Sequence, residues 1–222
     1  MKGFFFCLAL AAAPLFGGQP GAALAPIVLY TQFQQDAPEA VVESLQAEVR
    51  SIMAPIGLVF RWRDLTASDG RQVSVELAVI NFKGRCDVAG LLPHSSNPGP
   101  LGWTHISNGT ILPFADVDCS AVRAFVQKEL LLARLEDRAQ FFGRALGRVL
   151  AHELYHIFAN TTRHGSDGVG RGFYSVQDLL SCDFQFQARE SLELKNSKAH
   201  AALASAAANS SLDDEEDAHH RL

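Results

Sequence analysis

The chain has 222 residues, of which 48% are hydrophobic and 19% charged, and its formal net charge is −5 at pH 7. This composition is typical of one globular domain and excludes a disordered or fibrous protein. The acidic balance disfavours a nucleic-acid-binding protein, which normally presents a basic surface.

The first 25 residues have the pattern of a secretory signal peptide. Lys2 precedes an apolar run at residues 4–13, and small residues lead to an A-x-A-like cleavage site after Ala25. The run is too short and too interrupted by Gly and Pro for a stable membrane span. We therefore expect a secreted or periplasmic protein with a signal peptide (1–25), one folded domain (26–196) and a disordered or loosely helical acidic tail (197–222).

Apolar segments with β-branched residues or period-two alternation predict five strands, at residues 25–33, 58–63, 72–82, 101–107 and 110–117. A helix with apolar residues at helical spacing lies between the first two strands, which implies a crossover under a mixed sheet. Asn108-Gly109 predicts a hairpin between the last two strands. Pro113 indicates a bulge or an unpaired backbone nitrogen in that hairpin.

Two further helices are predicted at residues 121–132 and 138–159. In the second, Phe141, Ala145 and Val149 form an apolar stripe, and the pattern places two arginines, Arg144 and Arg148, away from it. Two glycines of this helix lie four residues apart, at Gly143 and Gly147. They lower its helix propensity and would let another element approach closely.

His152, Glu153 and His156 form an H-E-x-x-H motif near the end of this helix. Residues four apart lie on one helical face, so both imidazoles can point at one metal ion. Neutral histidine nitrogens suit Zn²⁺. Glu153 is placed to reach a water molecule bound to that ion and to act as its general base.

With a strand, a helix, further strands and then an H-E-x-x-H helix, the chain resembles the zincin superfamily of metallopeptidases, the metzincin branch most closely. The resemblance covers residues 26–165, and H-E-x-x-H is its one specific motif. It implies an α+β fold with a mixed, mostly parallel twisted sheet of four to five strands, an antiparallel edge strand, a crossover helix and a long active-site helix. It also implies that the edge strand, here 101–107, binds extended substrate.

The chain departs from the standard metzincin families after the motif. Metzincins continue with a glycine and a third histidine, and this chain has Ala159 and Thr162 at those positions. A Met-turn is also missing, since the only methionines are Met1 and Met53.

A catalytic zinc site takes three protein ligands and keeps a position open for water, so a third ligand must be found. His164 is preferred, because Asn160 and Gly165 can both adopt left-handed conformations that fold the chain back towards the metal. The gluzincin alternative is a carboxylate on a following helix. The residues that remain open as alternatives are Glu190, Glu193, Asp167 and His105.

Three cysteines remain after signal cleavage, which permits one disulfide in an oxidising compartment. Metzincin topology places the third and fifth strands side by side and parallel. Cys86 and Cys119, just past those strands, would then lie at the same end of the sheet, and the resemblance therefore implies a Cys86–Cys119 disulfide. Cys182 is interpreted as a small apolar filler.

Two other features bear on the cleft. Tyr174 or Tyr155 is a candidate hydrogen-bond donor to an oxyanion, and the glycine-rich residues 168–172 are expected to form a flexible wall.

The leading hypothesis is an exported zinc metallopeptidase that hydrolyses peptide bonds of a peptide or protein substrate. Its ligands would be His152, His156 and His164, with Glu153 as general base. The alternatives are a non-enzymatic exported binding protein on a zincin scaffold and a zinc amidase acting on a non-protein amide.

Overall fold

The computed structural model describes residues 27–68, 74–91 and 99–206. The predicted signal peptide and the acidic end of the predicted tail lie outside these ranges. Within them, none of the helices combines the length and the apolar character that crossing a bilayer requires.

In the described part of the chain, the fold is built from a five-stranded sheet and five helices, and a further helical segment follows at residues 198–206. In chain order the elements are β1 (Ile27–Phe33), α1 (Glu39–Met53), β2 (Arg61–Asp64), β3 (Glu76–Lys83), β4 (Gly102–Ser107), β5 (Thr110–Asp118), α2 (Cys119–Leu132), α3 (Leu135–Ala159), α4 (Val176–Leu180) and α5 (Ala188–Lys195). Short 3₁₀ turns occur at Ala54–Ile56 and Gly168–Gly170.

The sheet has the strand order β2-β1-β3-β5-β4. Its neighbours pair in parallel except for β4 and β5, which are antiparallel, so β4 forms an antiparallel edge. The predicted α+β class with a mixed, mostly parallel sheet is confirmed. The α1 crossover between β1 and β2 gives these two strands their parallel direction.

The main core lies between one face of the sheet and the helices α1 and α3. Apolar side chains from β1, β3 and β5 are buried in it, among them Ile27, Leu29, Ile80, Phe82 and Val117. The metal-motif helix α3 packs against α1 and against β5 and β4, at the antiparallel end of the sheet.

The two α3 glycines permit the close approach that their spacing predicts. A Cβ atom at Gly143 would lie 2.5 Å from the Val41 carbonyl oxygen, and one at Gly147 would lie 2.8 Å from the Leu45 carbonyl oxygen. The backbone of α1 therefore touches α3 where side chains are missing, and any side chain there would push the two helices apart.

The predicted hairpin is confirmed. Asn108 and Gly109 both have positive φ, at 50° and 78°, as a two-residue turn matched to strand twist requires. The β4–β5 register shifts between Thr104 and Ile106, and Pro113 lies opposite this irregularity, as its missing N–H predicts.

Arg148, which the pattern places away from the apolar stripe, is nevertheless buried and only 2% exposed. Its guanidinium donates to Glu48 Oε1 at 2.7 Å, to the Asp178 carbonyl at 2.6 Å and to the Ser181 carbonyl at 2.7 Å. These partners replace water for the buried cation, which a helical pattern cannot reveal. Arg148 therefore ties α3 to α1 and to the segment around α4.

The Cys86–Cys119 disulfide is confirmed, and it joins the chain after β3 to the first residue of α2. Parallel pairing of β3 with β5 brings both cysteines to one end of the sheet. Cys182 is exposed in the turn after α4, so its interpretation as an apolar filler is wrong.

The folded part also extends beyond residue 196. Residues 198–206, which belong to the predicted tail, are helical, and Ala199 is buried.

Candidate metal centre

Three imidazoles converge at the C-terminal end of α3. The Nε2 atoms of His152 and His156, one helical turn apart, are 3.0 Å from each other. The His164 ring centroid lies 5.2 Å from that of His152 and 4.9 Å from that of His156. One donor atom from each of the three lies within 4.8 Å of the other two, so together they could hold a metal ion. No other group of His, Cys, Asp and Glu side chains in the described ranges has such an arrangement.

Backbone carbonyls set the tautomers of the two helical histidines. Nδ1 of His152 lies 2.8 Å from the Val169 carbonyl, and Nδ1 of His156 lies 2.7 Å from the Thr161 carbonyl. A carbonyl oxygen can only accept, so each Nδ1 carries a proton. In the neutral rings both Nε2 atoms therefore present lone pairs.

The neutral state of these rings is favoured. Burial lowers the pKa of His152 to about 3, and a positive charge on His156 would lower it further. Burial also lowers the pKa of His156. Two lone pairs 3.0 Å apart repel each other unless a cation lies between them. Two nitrogens on one tetrahedral zinc would be about 3.4 Å apart, so only a small adjustment is needed.

The chain reverses after α3 and brings His164 back to the helix. Asn160 ends α3 with a φ of 48°, so its predicted left-handed conformation is confirmed. The same prediction is wrong for Gly165, whose φ is not positive; the left-handed residue of this segment is Gly168. Gly165 is needed for a different reason, since a Cβ atom there would lie 2.5 Å from Glu190 Oε1.

The alternative third ligands are held elsewhere. Glu190 is buried against Gly165, and Glu193 accepts a 2.6 Å hydrogen bond from the Tyr155 hydroxyl. His105 on β4 contacts Asp116 at 2.7 Å, and Asp167 precedes the second 3₁₀ turn. None of these four side chains belongs to the group that surrounds the two helical histidines.

Glu153 lies beside the histidines and is only 5% exposed. Its Oε2 accepts a 2.8 Å hydrogen bond from the Thr104 hydroxyl of β4. Burial raises the pKa of Glu153 to about 7, and the Thr104 hydrogen bond opposes this rise. A carboxyl with a pKa near neutrality can take up a proton and give it away again at physiological pH.

A cavity of about 520 Å³ opens over the three histidines and Glu153. Its walls come from β4, from α2, and from the segments at 161–164 and 172–174. Large apolar side chains line much of it: Leu101, Trp103, Ile106, Ile111, Phe125 and Phe173.

The two tyrosines have different positions. Tyr174 lines the cavity, donates to the Val169 carbonyl, and places its hydroxyl 2.9 Å from His152 Nδ1. Tyr155 is buried with its hydroxyl on Glu193, so it packs behind the site.

The glycine-rich segment is only partly a wall of the cleft. Gly172 lines the cavity, but Gly168–Gly170 forms a 3₁₀ turn with Val169 and Gly170 buried under the site. The prediction of a cleft wall is wrong for this turn. Its contribution is the Val169 carbonyl, and a backbone group leaves no signal in the sequence.

Comparison with models of known protein families gives no match, and comparison with curated proteins gives none either. The function of the site therefore has to be argued from its residues and geometry.

Proposed function

We propose that the protein is an exported zinc-dependent metallopeptidase, with His152, His156 and His164 as the zinc ligands. The observation that carries the proposal is the facing pair of Nε2 atoms, 3.0 Å apart, whose Nδ1 atoms both donate to backbone carbonyls. A neutral histidine pair oriented in this way by carbonyls is typical of metal ligands. Three imidazole donors suit zinc, and the cavity leaves space for a water molecule and a substrate.

A zinc ion bound here would polarise a substrate carbonyl and make a nearby water molecule more acidic. Glu153 lies where it could accept the proton of such a water as the water attacks the peptide carbonyl, and it could then give that proton to the leaving amine. Its raised pKa of about 7 supports both steps. Thr104 orients the carboxylate from β4.

The cavity favours a peptide with uncharged apolar side chains near the scissile bond. β4 is an edge strand of the sheet and lines the cavity, so an extended peptide can pair with its free edge. The described lining residues include no lysine or arginine, and large apolar side chains predominate. The resemblance to zincins agrees with this orientation of substrate.

The proposed export rests on the signal-peptide pattern and on the disulfide. A disulfide between Cys86 and Cys119 persists in an oxidising compartment, which fits the periplasm or the extracellular medium.

The test is metal analysis and peptide cleavage with purified wild type, Glu153→Gln and His156→Ala. We expect the wild type to bind one zinc and to cleave a mixed peptide library. Glu153→Gln should keep the zinc and lose about 10²–10⁴-fold in rate, and His156→Ala should lose the zinc. Glu136→Gln, an exposed carboxylate on the same helix, is the matched control and should behave as wild type. Undiminished cleavage by Glu153→Gln would exclude the mechanism.

The same preparation separates the two alternatives. A protein without hydrolytic activity, whether or not it holds zinc, would indicate a binding protein. Cleavage of simple N-acyl amides without cleavage of the library would indicate an amidase.

A further inference from the structure

A buried carboxylate with no role in the proposed mechanism lies under the segment that carries His164. Glu190, in the first turn of α5, is 2% exposed. Its side chain fills the space that Cβ atoms of Gly165 and Gly170 would occupy, at 2.5 and 2.7 Å. The Gly165 amide donates to the Gly170 carbonyl at 2.6 Å, so these glycines close a loop over the carboxylate.

Arg189 connects this carboxylate to the backbone of the third histidine. One nitrogen of its guanidinium, Nη2, donates to the His164 carbonyl at 3.1 Å and to Glu190 Oε1 at 2.8 Å. The backbone position of His164 is therefore tied to α5, although its side chain is exposed.

The other end of the same loop orients the first histidine. The Val169 carbonyl accepts from His152 Nδ1, and the Val169 amide donates to the Gln185 carbonyl at 3.1 Å, just before α5. The end at His164 thus depends on a contact from α5 itself, and the end at Val169 depends on a contact with the segment that leads into α5.

We propose that Arg189 and Glu190 are positioning residues that set the metal affinity of the site by holding the His164 backbone over the two helical histidines. The inference rests on metal binding by the proposed site, and it does not need peptide hydrolysis. Neither side chain is among the three metal-binding donors, so both act through the loop. Outer partners of metal ligands typically change metal affinity by about 10–100-fold.

A purely structural role for Arg189 makes a different prediction. Its side chain is 52% exposed, but its partner Glu190 is only 2% exposed, so removing the guanidinium leaves a buried carboxylate without its cation and should lower the melting temperature of the metal-free protein. A purely structural role would weaken Zn²⁺ binding to the same extent with or without the His164 imidazole, whereas a positioning role weakens it only when that imidazole is present.

The test measures the Zn²⁺ dissociation constant by competition with a chromophoric chelator, together with the melting temperature of the metal-free protein. At a temperature well below the melting temperature of each variant, we expect Arg189→Met to bind Zn²⁺ about 10–100-fold more weakly than the wild type. Arg189→Lys should recover part of the affinity, because an ammonium group can still donate to one of the two acceptors. Arg163→Ala removes the same charge from the exposed residue next to His164 and is the matched control.

A double-mutant cycle with His164→Ala shows whether Arg189 acts through the third histidine. His164→Ala keeps the carbonyl that Arg189 contacts and removes only the imidazole. Arg189→Met should therefore weaken Zn²⁺ binding in the wild type and have little further effect in the His164→Ala background. The absorption spectrum of the Co²⁺-substituted protein should change in the same way in both single variants.

Three results would overturn the inference: wild-type affinity in Arg189→Met, an equal loss in the His164→Ala background, or a loss that Arg163→Ala reproduces. Peptide hydrolysis is measured in a separate assay from Zn²⁺ affinity. A protein that binds zinc as described and cleaves nothing would refute the proposed function and leave this inference standing.

Discussion

The raised pKa of Glu153 predicts how the stability of the metal-free protein changes with pH. The carboxyl has a pKa of about 7 in the fold, against an ordinary value of 4.5, and burial is the main cause. Below pH 4.5 it is protonated in both the folded and the unfolded chain. As the pH rises from 4.5 to about 7, the carboxyl ionises in the unfolded chain but keeps its proton in the folded chain. The free energy of unfolding therefore falls over this pH interval.

The size of this loss follows from the rise of about 2.5 in pKa. At about 1.4 kcal/mol for each pKa unit, the wild type should lose about 3 kcal/mol of unfolding free energy between pH 4 and pH 8 through this group. Glu153→Gln has no proton to lose, so its free energy of unfolding should gain about 3 kcal/mol relative to wild type over the same range. Buried His152 titrates in both proteins, and its contribution cancels in the comparison.

The assay is urea denaturation of both proteins in EDTA at several pH values between 4 and 8. The quantity compared is the change with pH of the difference in unfolding free energy between Glu153→Gln and wild type. The altered hydrogen bond with Thr104 shifts this difference by the same amount at every pH and does not affect the comparison. Glu136→Gln should show no pH-dependent difference from wild type. A difference between Glu153→Gln and wild type that is flat from pH 4 to 8 would refute a buried carboxyl with a raised pKa.

Three further predictions concern the edge strand, the disulfide and the helix contact. Thr104→Val removes the hydrogen bond that lowers the pKa of Glu153, the proposed general base. The acid limb of the pH–rate profile of the zinc-loaded protein should therefore move up by about one pH unit. An acid limb at the wild-type pH would contradict this. Replacing Cys86 and Cys119 by serine opens a loop with a sequence separation of 33 residues and should cost about 3–4 kcal/mol in urea denaturation, whereas Cys182→Ser should cost nothing measurable. Gly143→Ala places a Cβ atom 2.5 Å from a backbone oxygen of α1. This clash should lower the free energy of unfolding by about 1–3 kcal/mol, although alanine has the better helix propensity. A stabilised variant would mean that α1 and α3 are farther apart than in this structure.

Regular periodicity was sufficient for much of the fold. The five strands follow from apolar segments, and the hairpin follows from Asn108-Gly109, because those residues tolerate positive φ in two consecutive positions. Periodicity gave no indication that Arg148 is buried, because the free energy of burying a cation depends on acceptors from distant parts of the chain. The acceptors here are Glu48, Asp178 and Ser181.

The order of elements also predicted the disulfide, through its resemblance to metzincin topology. Cys86 and Cys119 approach each other because β3 and β5 are parallel neighbours, and this pairing is a property of the whole sheet. The exposed Cys182 had no comparable constraint. Cys182 is exposed because it lies in a turn after α4, and amino-acid composition does not reveal where such a turn places its side chains.

The sequence by itself determined the pair His152 and His156 and the adjacent Glu153, since a helix of 3.6 residues per turn places them without help from the rest of the chain. Tertiary structure decided what surrounds them. It brings His164 to the pair through a reversal at Asn160 and contacts from α5, and it sets Thr104 on the carboxylate from a strand nearly fifty residues earlier. The physical reason is that helical geometry acts over a few residues, whereas the direction of a loop and the partners of a buried polar group depend on segments that only the folded chain brings together.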